Sequence, residues 1–194
     1  MSWRELLARA AAGVGAADAA PALAQFVELF ELWNQRINLS AARSRDDIAQ
    51  HVIDSLALMR HLGEATSAID VGSGGGFPLI VLGACRSELT WRGVEPIHKK
   101  TAFLSAAVRE LGLRNVEIVT RRVDPAIDHG FDIATSRATF ALDEWLALGE
   151  QLVRPGGRVL GMEARERVVL GASDERHPYD AGDRQRAIIV RQVA

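Results

Sequence analysis

The stretch AIDVGSGGGFP, residues 68 to 78, constrains the fold of this chain most, because four glycines in five positions directly follow a short apolar run. A strand that ends in a glycine-rich turn and leads into a helix is typical of open α/β sheets, which bind ligands at the carboxyl ends of their strands. Short apolar runs recur downstream, separated by segments with helical spacing. This alternation predicts βαβ units in a mainly parallel, Rossmann-like sheet with helices on both faces.

Six apolar runs are expected to form strands. They are AIDV at 68–71, LTWRGVE at 89–95, VEIVT at 116–120, FDIATS at 131–136, RVLGM at 158–162 and RAIIVRQV at 186–193. Helices are expected to begin near Pro78, Ile97 and Leu142, with Gly112 and a turn at RPGG, 154–157, as stop signals. Residues 164–186 show no helical pattern, although a crossover between parallel strands needs one. A shortened C-terminal edge of the sheet is therefore expected.

Two amphipathic helices are predicted before the sheet. Residues 22–37 place three aromatic side chains and one isoleucine on one face of the first helix. The capping box Ser44-x-x-Asp47 begins the second, which runs to Leu62 and carries a polar cluster around His51.

The length and composition bound the class of protein. The 194 residues fit one domain, with a helical segment at 1–65 and an α/β core at 66–194. Cys85 is the only cysteine, and the five histidines lack ligand spacing, so neither a disulfide nor a metal site is expected. No apolar run approaches the roughly 20 residues that cross a bilayer. Charged residues such as Glu5 interrupt the alanine-rich start, so a cytoplasmic protein without a signal peptide or membrane anchor is expected.

The net charge of −2 provides no general attraction for a polyanion. A nucleic-acid partner would need a local basic patch, for which Lys99/Lys100 and Arg121/Arg122 are candidates. Ordinary solvated surface charge is the alternative for each pair. One compact domain also makes a monomer the default expectation.

The glycine loop lacks the features of two common nucleotide-binding loops. A P-loop ends in Gly-Lys-Ser/Thr, which contacts phosphate and magnesium, and that sequence is absent here. The dinucleotide fingerprint G-x-G-x-x-G, counted from Gly72, requires glycine where this chain has Phe77. What remains is Asp70, the loop and Glu95 at the end of the next predicted strand, where a carboxylate can accept hydrogen bonds from two ribose hydroxyls.

These residues resemble motif I of class I S-adenosylmethionine (SAM)-dependent methyltransferases. LWNQRINLSA at 32–41, HVIDSLAL at 51–58, DVGSGGGFP at 70–78 and SRA at 136–138 are further similar to motifs of the ribosomal small subunit methyltransferase G family, RsmG or GidB. That resemblance implies methyl transfer from SAM to guanine N7 in the 530 loop (position 527) of 16S ribosomal RNA, with the RNA or the small ribosomal subunit as partner. Guanine N7 has a free lone pair, so no general base is expected.

The resemblance also implies a set of site residues. Those expected to bind the cofactor are Asp70, Gly72, Gly74, Gly76, Phe77, Glu95, Val123, Asp124 and Arg137. Arg137 and Arg122 are expected to position the RNA for transfer. Asn38, His51 and Asp54 match polar residues expected to contact the substrate or order a lid, although a hydrogen-bonded cluster with a structural role would explain them as well.

One residue departs from the family pattern. Glu163 stands where a lysine is usual after the fifth strand, and a carboxylate there would repel phosphate. Together with the shortened edge, it leaves two alternatives open. These are a related methyltransferase that acts on a small molecule or another RNA, and a SAM-binding module without transfer activity.

Overall fold

Seven strands form one sheet in a computed structural model that describes residues 1–163, 169–181 and 184–194. The strands are β1 Ser67–Val71, β2 Thr90–Val94, β3 Val116–Val119, β4 Phe131–Ser136, β5 Val153–Glu163, β6 Asp174–Ala181 and β7 Arg184–Gln192. The helices are α1 Trp3–Gly13, α2 Ala20–Ile37, α3 Arg45–Leu56, α4 Leu79–Cys85, α5 His98–Glu110 and α6 Leu142–Glu150. The predicted α/β class is confirmed, with five parallel strands, β1 to β5.

The strand order is β3-β2-β1-β4-β5-β7-β6. The chain moves outward in one direction from β1 to β3 and returns to the other side of β1 with β4. The order therefore reverses between β1 and β4, and open α/β sheets bind ligands at such a switch point. The glycine loop follows β1 at this place.

The C-terminal edge differs from the prediction in its number of strands. Residues 174–181, for which the sequence pattern predicts no strand, form β6, and this strand pairs antiparallel with the predicted last strand β7. The sequence pattern did not indicate β6, because this edge strand contains charged side chains and Pro178 and has no continuous apolar run. In the connection from β5, residues 169–173 are not helical, and the expectation for residues 164–168 lies outside the described residues.

The RPGG sequence at 154–157 was predicted as a turn before the fifth strand, and that was wrong. It lies inside β5, where the register with β4 shifts between Phe131 and Ile133. Gly156 adopts a φ of 79° there, so the irregularity is a kink within the strand.

The N-terminal helices pack against the sheet through aromatic side chains. Phe26 and Phe30 on α2 are fully buried and contact Phe77 of the glycine loop, with ring centroids 5.3 and 5.1 Å apart. The predicted capping box begins α3, where Ser44 accepts the N–H of Asp47. Helix α3 ends at Leu56, earlier than predicted, and a 3₁₀ helix continues to His61. None of the helices in the described ranges is long and apolar enough to cross a membrane.

Candidate active site

The glycine loop is tied to the end of β2 by one buried carboxylate. Gly74 donates its N–H to Oε2 of Glu95 at 2.9 Å, and Ile97 donates to Oε1 at 3.0 Å. Gly72 donates to the carbonyl of Val94 at 2.8 Å. Each carboxylate oxygen has a second lone pair. Glu95 can therefore accept two further hydrogen bonds while it holds the loop.

The loop needs glycine for its conformation and for its packing. Gly72, Gly74 and Gly76 have φ values of 71°, 50° and 83°, which side chains rarely adopt. A Cβ on Gly75 would lie 2.7 Å from Cε2 of Phe30, and one on Gly76 would lie 2.7 Å from Cγ1 of Ile80. The space beside these two glycines is therefore filled by the protein, and the expectation that Gly76 contacts the cofactor needs correction.

Gly74 is the loop glycine whose surroundings are open. A Cβ there would meet only the Gly72 carbonyl at 3.6 Å and Nζ of Lys100 at 4.0 Å among the described atoms. A ligand can therefore approach the backbone at this position, with a cation close by.

Asp70 lies beneath the loop as a buried acceptor. Its Oδ1 accepts a hydrogen bond from Thr135 of β4 at 2.8 Å, whereas its buried Oδ2 has no partner among the described residues. Burial raises the pKa of Asp70 to about 6, and the nearby hydroxyls of Ser73 and Thr135 oppose that shift. A cationic group placed beside Oδ2 would satisfy the acceptor and stabilise the ionised form.

Arg137, directly after β4, connects the sheet to α3. Its Nη1 donates to the carbonyl of His51 at 3.2 Å, its Nη2 lies 2.6 Å from Nδ1 of the same residue, and its guanidinium lies 5.5 Å from the centre of the Phe77 ring. Because arginine only donates, Nδ1 is the acceptor and the ring proton is on Nε2. Burial, followed by the charges of Arg137 and Arg186, lowers the pKa of His51 to about 4, so the ring is neutral at pH 7.

The other two polar residues expected beside His51 lie elsewhere. Asp54 is 1% exposed and accepts a hydrogen bond from Arg186 of β7, so it faces the C-terminal hairpin. Asn38 is exposed and ends α2 in a left-handed conformation with a φ of 50°. The structure therefore brings His51 to Arg137 and does not assemble all three side chains into one cluster.

The turn after β3 carries the remaining predicted residues. Asp124 accepts the N–H of Ala126 at 3.0 Å through its own Oδ1, and Val123 packs partly against the core below α6. Arg121 forms a bidentate ion pair with buried Asp128, which neutralises the charge of Arg121. Arg122 is exposed. Of the predicted Arg121/Arg122 pair, Arg122 is therefore the more exposed residue.

Glu163 was expected to repel phosphate, and the structure weakens that expectation. Its side chain is 5% exposed and accepts two hydrogen bonds from Arg176 of β6, at 2.8 and 2.9 Å. The carboxylate is therefore buried and paired with a guanidinium of the edge strand.

Comparison with known proteins decides the family. A model of the family described as rRNA small subunit methyltransferase G matches residues 19–172. The chain belongs to this family. The predicted resemblance is confirmed, and the match includes helices α2 and α3 and the glycine loop.

Relatives in the methyltransferase G family include proteins named ribosomal RNA small subunit methyltransferase G. One from Neisseria meningitidis is 40% identical over 136 residues, which cover 70% of this chain and 66% of the relative. One from Burkholderia pseudomallei is 41% identical over 165 residues, covering 79% and 70%. The chain spans about two thirds of the length of the curated relatives it matches.

Solved structures confirm the fold of this family member. A SAM-dependent methyltransferase from Aquifex aeolicus superposes with a TM-score of 0.55 at 16% identity, covering 73% of this chain and 90% of its own. A point variant of MtNAS in complex with S-adenosylmethionine gives 0.59 at 14% identity, covering 87% and 73%. The sheet is thus that of the class I methyltransferases.

Two residues of this methyltransferase G family member were missed by the sequence analysis. Asn34 is buried, donates to the carbonyl of Ala42 at 2.9 Å and accepts the N–H of Ser40 at 2.9 Å, so it shapes the loop between α2 and α3. Its position on the buried face of the predicted helix could have indicated this role. Arg186 bonds Asp54 across 132 positions of sequence, and no local pattern signals such a contact.

Proposed function

We propose that this chain transfers a methyl group from SAM to N7 of a guanine in the 530 loop (position 527) of 16S ribosomal RNA. The observation that carries the proposal is the meeting of Glu95, Asp70 and Arg137 at the carboxyl ends of β2, β1 and β4, beside the switch point of the sheet. Membership of a family described by its rRNA methyltransferase activity supports the choice of substrate.

The residues around the glycine loop suit SAM. Both oxygens of Glu95 can accept ribose hydroxyls in addition to their backbone donors. The unpartnered Oδ2 of Asp70 is an acceptor for the ammonium group of the methionine part. Gly72, Gly74 and Phe77 are proposed to line the cofactor, with Arg137 at the end of the pocket. Gly76, expected to bind the cofactor, is instead assigned to the turn of the loop through its φ of 83°. We assign adenine contacts to Val123 through apolar packing and to Asp124 as an acceptor.

The chemistry requires positioning more than proton transfer. When bound, SAM supplies an electrophilic methyl group, and guanine N7 supplies an in-plane lone pair that carries no proton at neutral pH. The protein therefore has to hold two reactants in line, an effect that can lower a barrier by roughly 7 to 11 kcal/mol at most. Arg137 is held by His51 and Phe77, which suits a group that orients the guanine or its phosphate.

The surface around this end of the sheet supports contact with RNA. Arg122 and Lys99 are exposed, and Lys100 lies beside the open glycine. We assign Arg122 to phosphate, Asn38 to the RNA surface and Asp54 to the support of α3 below the substrate. The ion pair between Glu163 and Arg176 removes the main objection to a polyanionic partner.

The two segments are proposed to act together as one monomeric domain. Residues 1–65 provide α3 and the aromatic contacts that hold the glycine loop, while residues 66–194 provide the SAM pocket. Because its substrate is ribosomal RNA, the protein is proposed to act in the cytoplasm.

Methyl transfer to ribosomal particles tests the proposal. Small subunits from cells that lack this methyl group would be incubated with methyl-labelled SAM over a series of salt concentrations. We expect label in 16S RNA and an RNA affinity that falls steeply with salt, because several phosphates are contacted. SAM binding without label in any ribosomal RNA would contradict the proposal and favour a binding module. A salt-independent reaction would favour a small-molecule substrate.

A further inference from the structure

Arg186 connects the C-terminal hairpin to the helix that holds Arg137. It lies on β7 opposite Tyr179 of β6, and its Nη1 donates to Oδ2 of Asp54 on α3. The side chain of Asp54 is 1% exposed and that of Arg186 is 25% exposed. A carboxylate buried to this degree needs a cationic partner.

The same carboxylate also attracts Arg137. Burial lowers the pKa of Arg137. The negative charge of Asp54 opposes that lowering, and the positive charge of Arg186 increases it. Oδ1 of Asp54 is buried without a hydrogen-bond partner among the described residues. Asp54 thus has an open acceptor and two guanidinium groups within its electrostatic reach.

Arg137 nevertheless contacts His51 and not Asp54. Its guanidinium donates to the carbonyl and to Nδ1 of His51 and lies near the Phe77 ring. His51 and Asp54 are three positions apart on α3 and so are neighbours on the helix surface, and the Asp54 charge acts on Arg137. A charged hydrogen bond to a carboxylate is stronger than one to a neutral ring. Something must therefore prevent Arg137 from exchanging His51 for Asp54.

We propose that Arg186 is a positioning residue for methyl transfer. It binds the carboxylate of Asp54, so that Arg137 remains hydrogen-bonded to His51 at the carboxyl end of β4. The inference rests on the proposed function. Without Arg186, Asp54 becomes an unpaired buried carboxylate, and Arg137 is the cation available to neutralise it. Arg137 would then be drawn away from the reacting groups, although no residue that contacts them had been changed.

The test uses the full chain with Arg186→Met, Arg186→Lys and the double variant Arg186→Met with Asp54→Asn. Arg191→Met is the matched control, because it removes an arginine of the same strand β7 from another buried carboxylate, that of Asp174. The readouts are kcat and KM for small subunits at saturating SAM, the Kd for SAM and the melting temperature. We expect kcat to fall about 100-fold in Arg186→Met, since a displacement of 1 Å can cost that much. The Kd for SAM is expected to rise by less than about tenfold, because Asp70, Glu95 and the glycine loop stay in place and only Arg137 at the end of the pocket moves.

Rescue separates positioning from a structural role. Arg186→Lys keeps a cation on Asp54 and should restore kcat to within about tenfold of wild type, and Asp54→Asn should raise kcat of the Arg186→Met protein at least about tenfold. If Arg186→Met does not fold, Arg186→Gln replaces it, with the same direction expected in kcat.

Two results would overturn the inference, and they are distinguishable. If the wild type is active and a folded Arg186→Met protein has the same kcat, the positioning role is refuted while the proposed function stands. A loss of kcat in Arg186→Met that Asp54→Asn fails to reverse would refute the positioning role as well. An inactive wild type would overturn the proposed function and the inference with it.

Discussion

The backbone N–H of Gly74 donates to Oε2 of Glu95 at 2.9 Å, so the loop after β1 and the end of β2 form one unit. The other oxygen of Glu95 accepts the N–H of Ile97, directly before α5. One buried carboxylate thus fixes three segments before any ligand binds. Such preorganisation reduces the entropic cost of binding.

Replacing Glu95 with alanine is expected to weaken SAM binding at least about 100-fold. Two charged hydrogen bonds to ribose contribute roughly 1.5 to 3 kcal/mol each, and the loop loses its anchor as well. Titration calorimetry would measure the Kd. Glu117→Ala is the control, because it removes an exposed carboxylate from neighbouring β3. An unchanged Kd in Glu95→Ala would refute the assignment.

Replacing Gly75 with alanine should lower the free energy of unfolding by about 1 to 3 kcal/mol. The new Cβ would lie 2.7 Å from the ring of Phe30, so α2 and the loop would have to separate. Gly13→Ala is the control, since a Cβ there meets nothing within 4 Å. Denaturant titration checks both variants. Combining Phe30→Leu with Gly75→Ala should recover part of the lost stability. Equal stability of the Gly75→Ala and Gly13→Ala variants would contradict the packing argument.

Replacing Arg137 with alanine should reduce the rate of methyl transfer about 100-fold, because the guanidinium that orients the RNA is removed. Single-turnover assays with excess enzyme and saturating SAM measure this rate. Arg154→Ala is the control. It removes the same charge from a 56% exposed side chain that donates to Asp132, which lies next to the start of β1. If both variants transferred methyl groups at the wild-type rate, Arg137 would have no part in catalysis.

Stability should fall as the pH falls from 6.5 to 4, in part because of His61. This buried ring lies 4.7 Å from that of His177, and burial, followed by the charge of His177, lowers its pKa to about 4. The unfolded chain, with a pKa near 6.5, binds the proton first, so the contribution of His61 to stability is lost through this interval and is constant below pH 4. His51 acts in the same direction. Asp70, with its pKa raised to about 6, acts in the opposite one.

The contribution of His61 can be isolated by difference. The unfolding free energies of wild type and His61→Gln would be measured at pH 7 and pH 4.5. We expect wild type to lose on the order of 2 kcal/mol more than the variant over this range. Parallel losses in the two proteins would show that His61 is protonated equally in the folded and unfolded states.

The sequence predicted the features that local patterns encode. Buried strands were visible as apolar runs, the capping box marked the start of α3, and Glu95 was expected at the end of the second strand, where it lies. Edge strand β6 was missed because its exposed face carries charges and it needs only one partner strand. The RPGG segment was misplaced because glycine and proline serve equally in a turn and in a kinked strand.

Other features depend on contacts between distant parts of the chain. The fit of Gly75 against Phe30 and the bond from Arg186 to Asp54 join residues that are 45 and 132 positions apart. No spacing rule reports such pairs. The polar residues of α3 were found, but their separation into one that faces Arg137 and one that faces β7 required the structure.

Chemical mapping of the methylated nucleotide tests the central claim most directly. Small subunits without this methyl group would be treated with the protein and SAM, and the 16S RNA would be reduced with borohydride and cleaved with aniline, which breaks the chain at N7-methylguanine. We predict one new cleavage in the 530 loop, at position 527, which requires both the protein and SAM. Methyl incorporation without cleavage at that guanine, or cleavage elsewhere, would contradict the account.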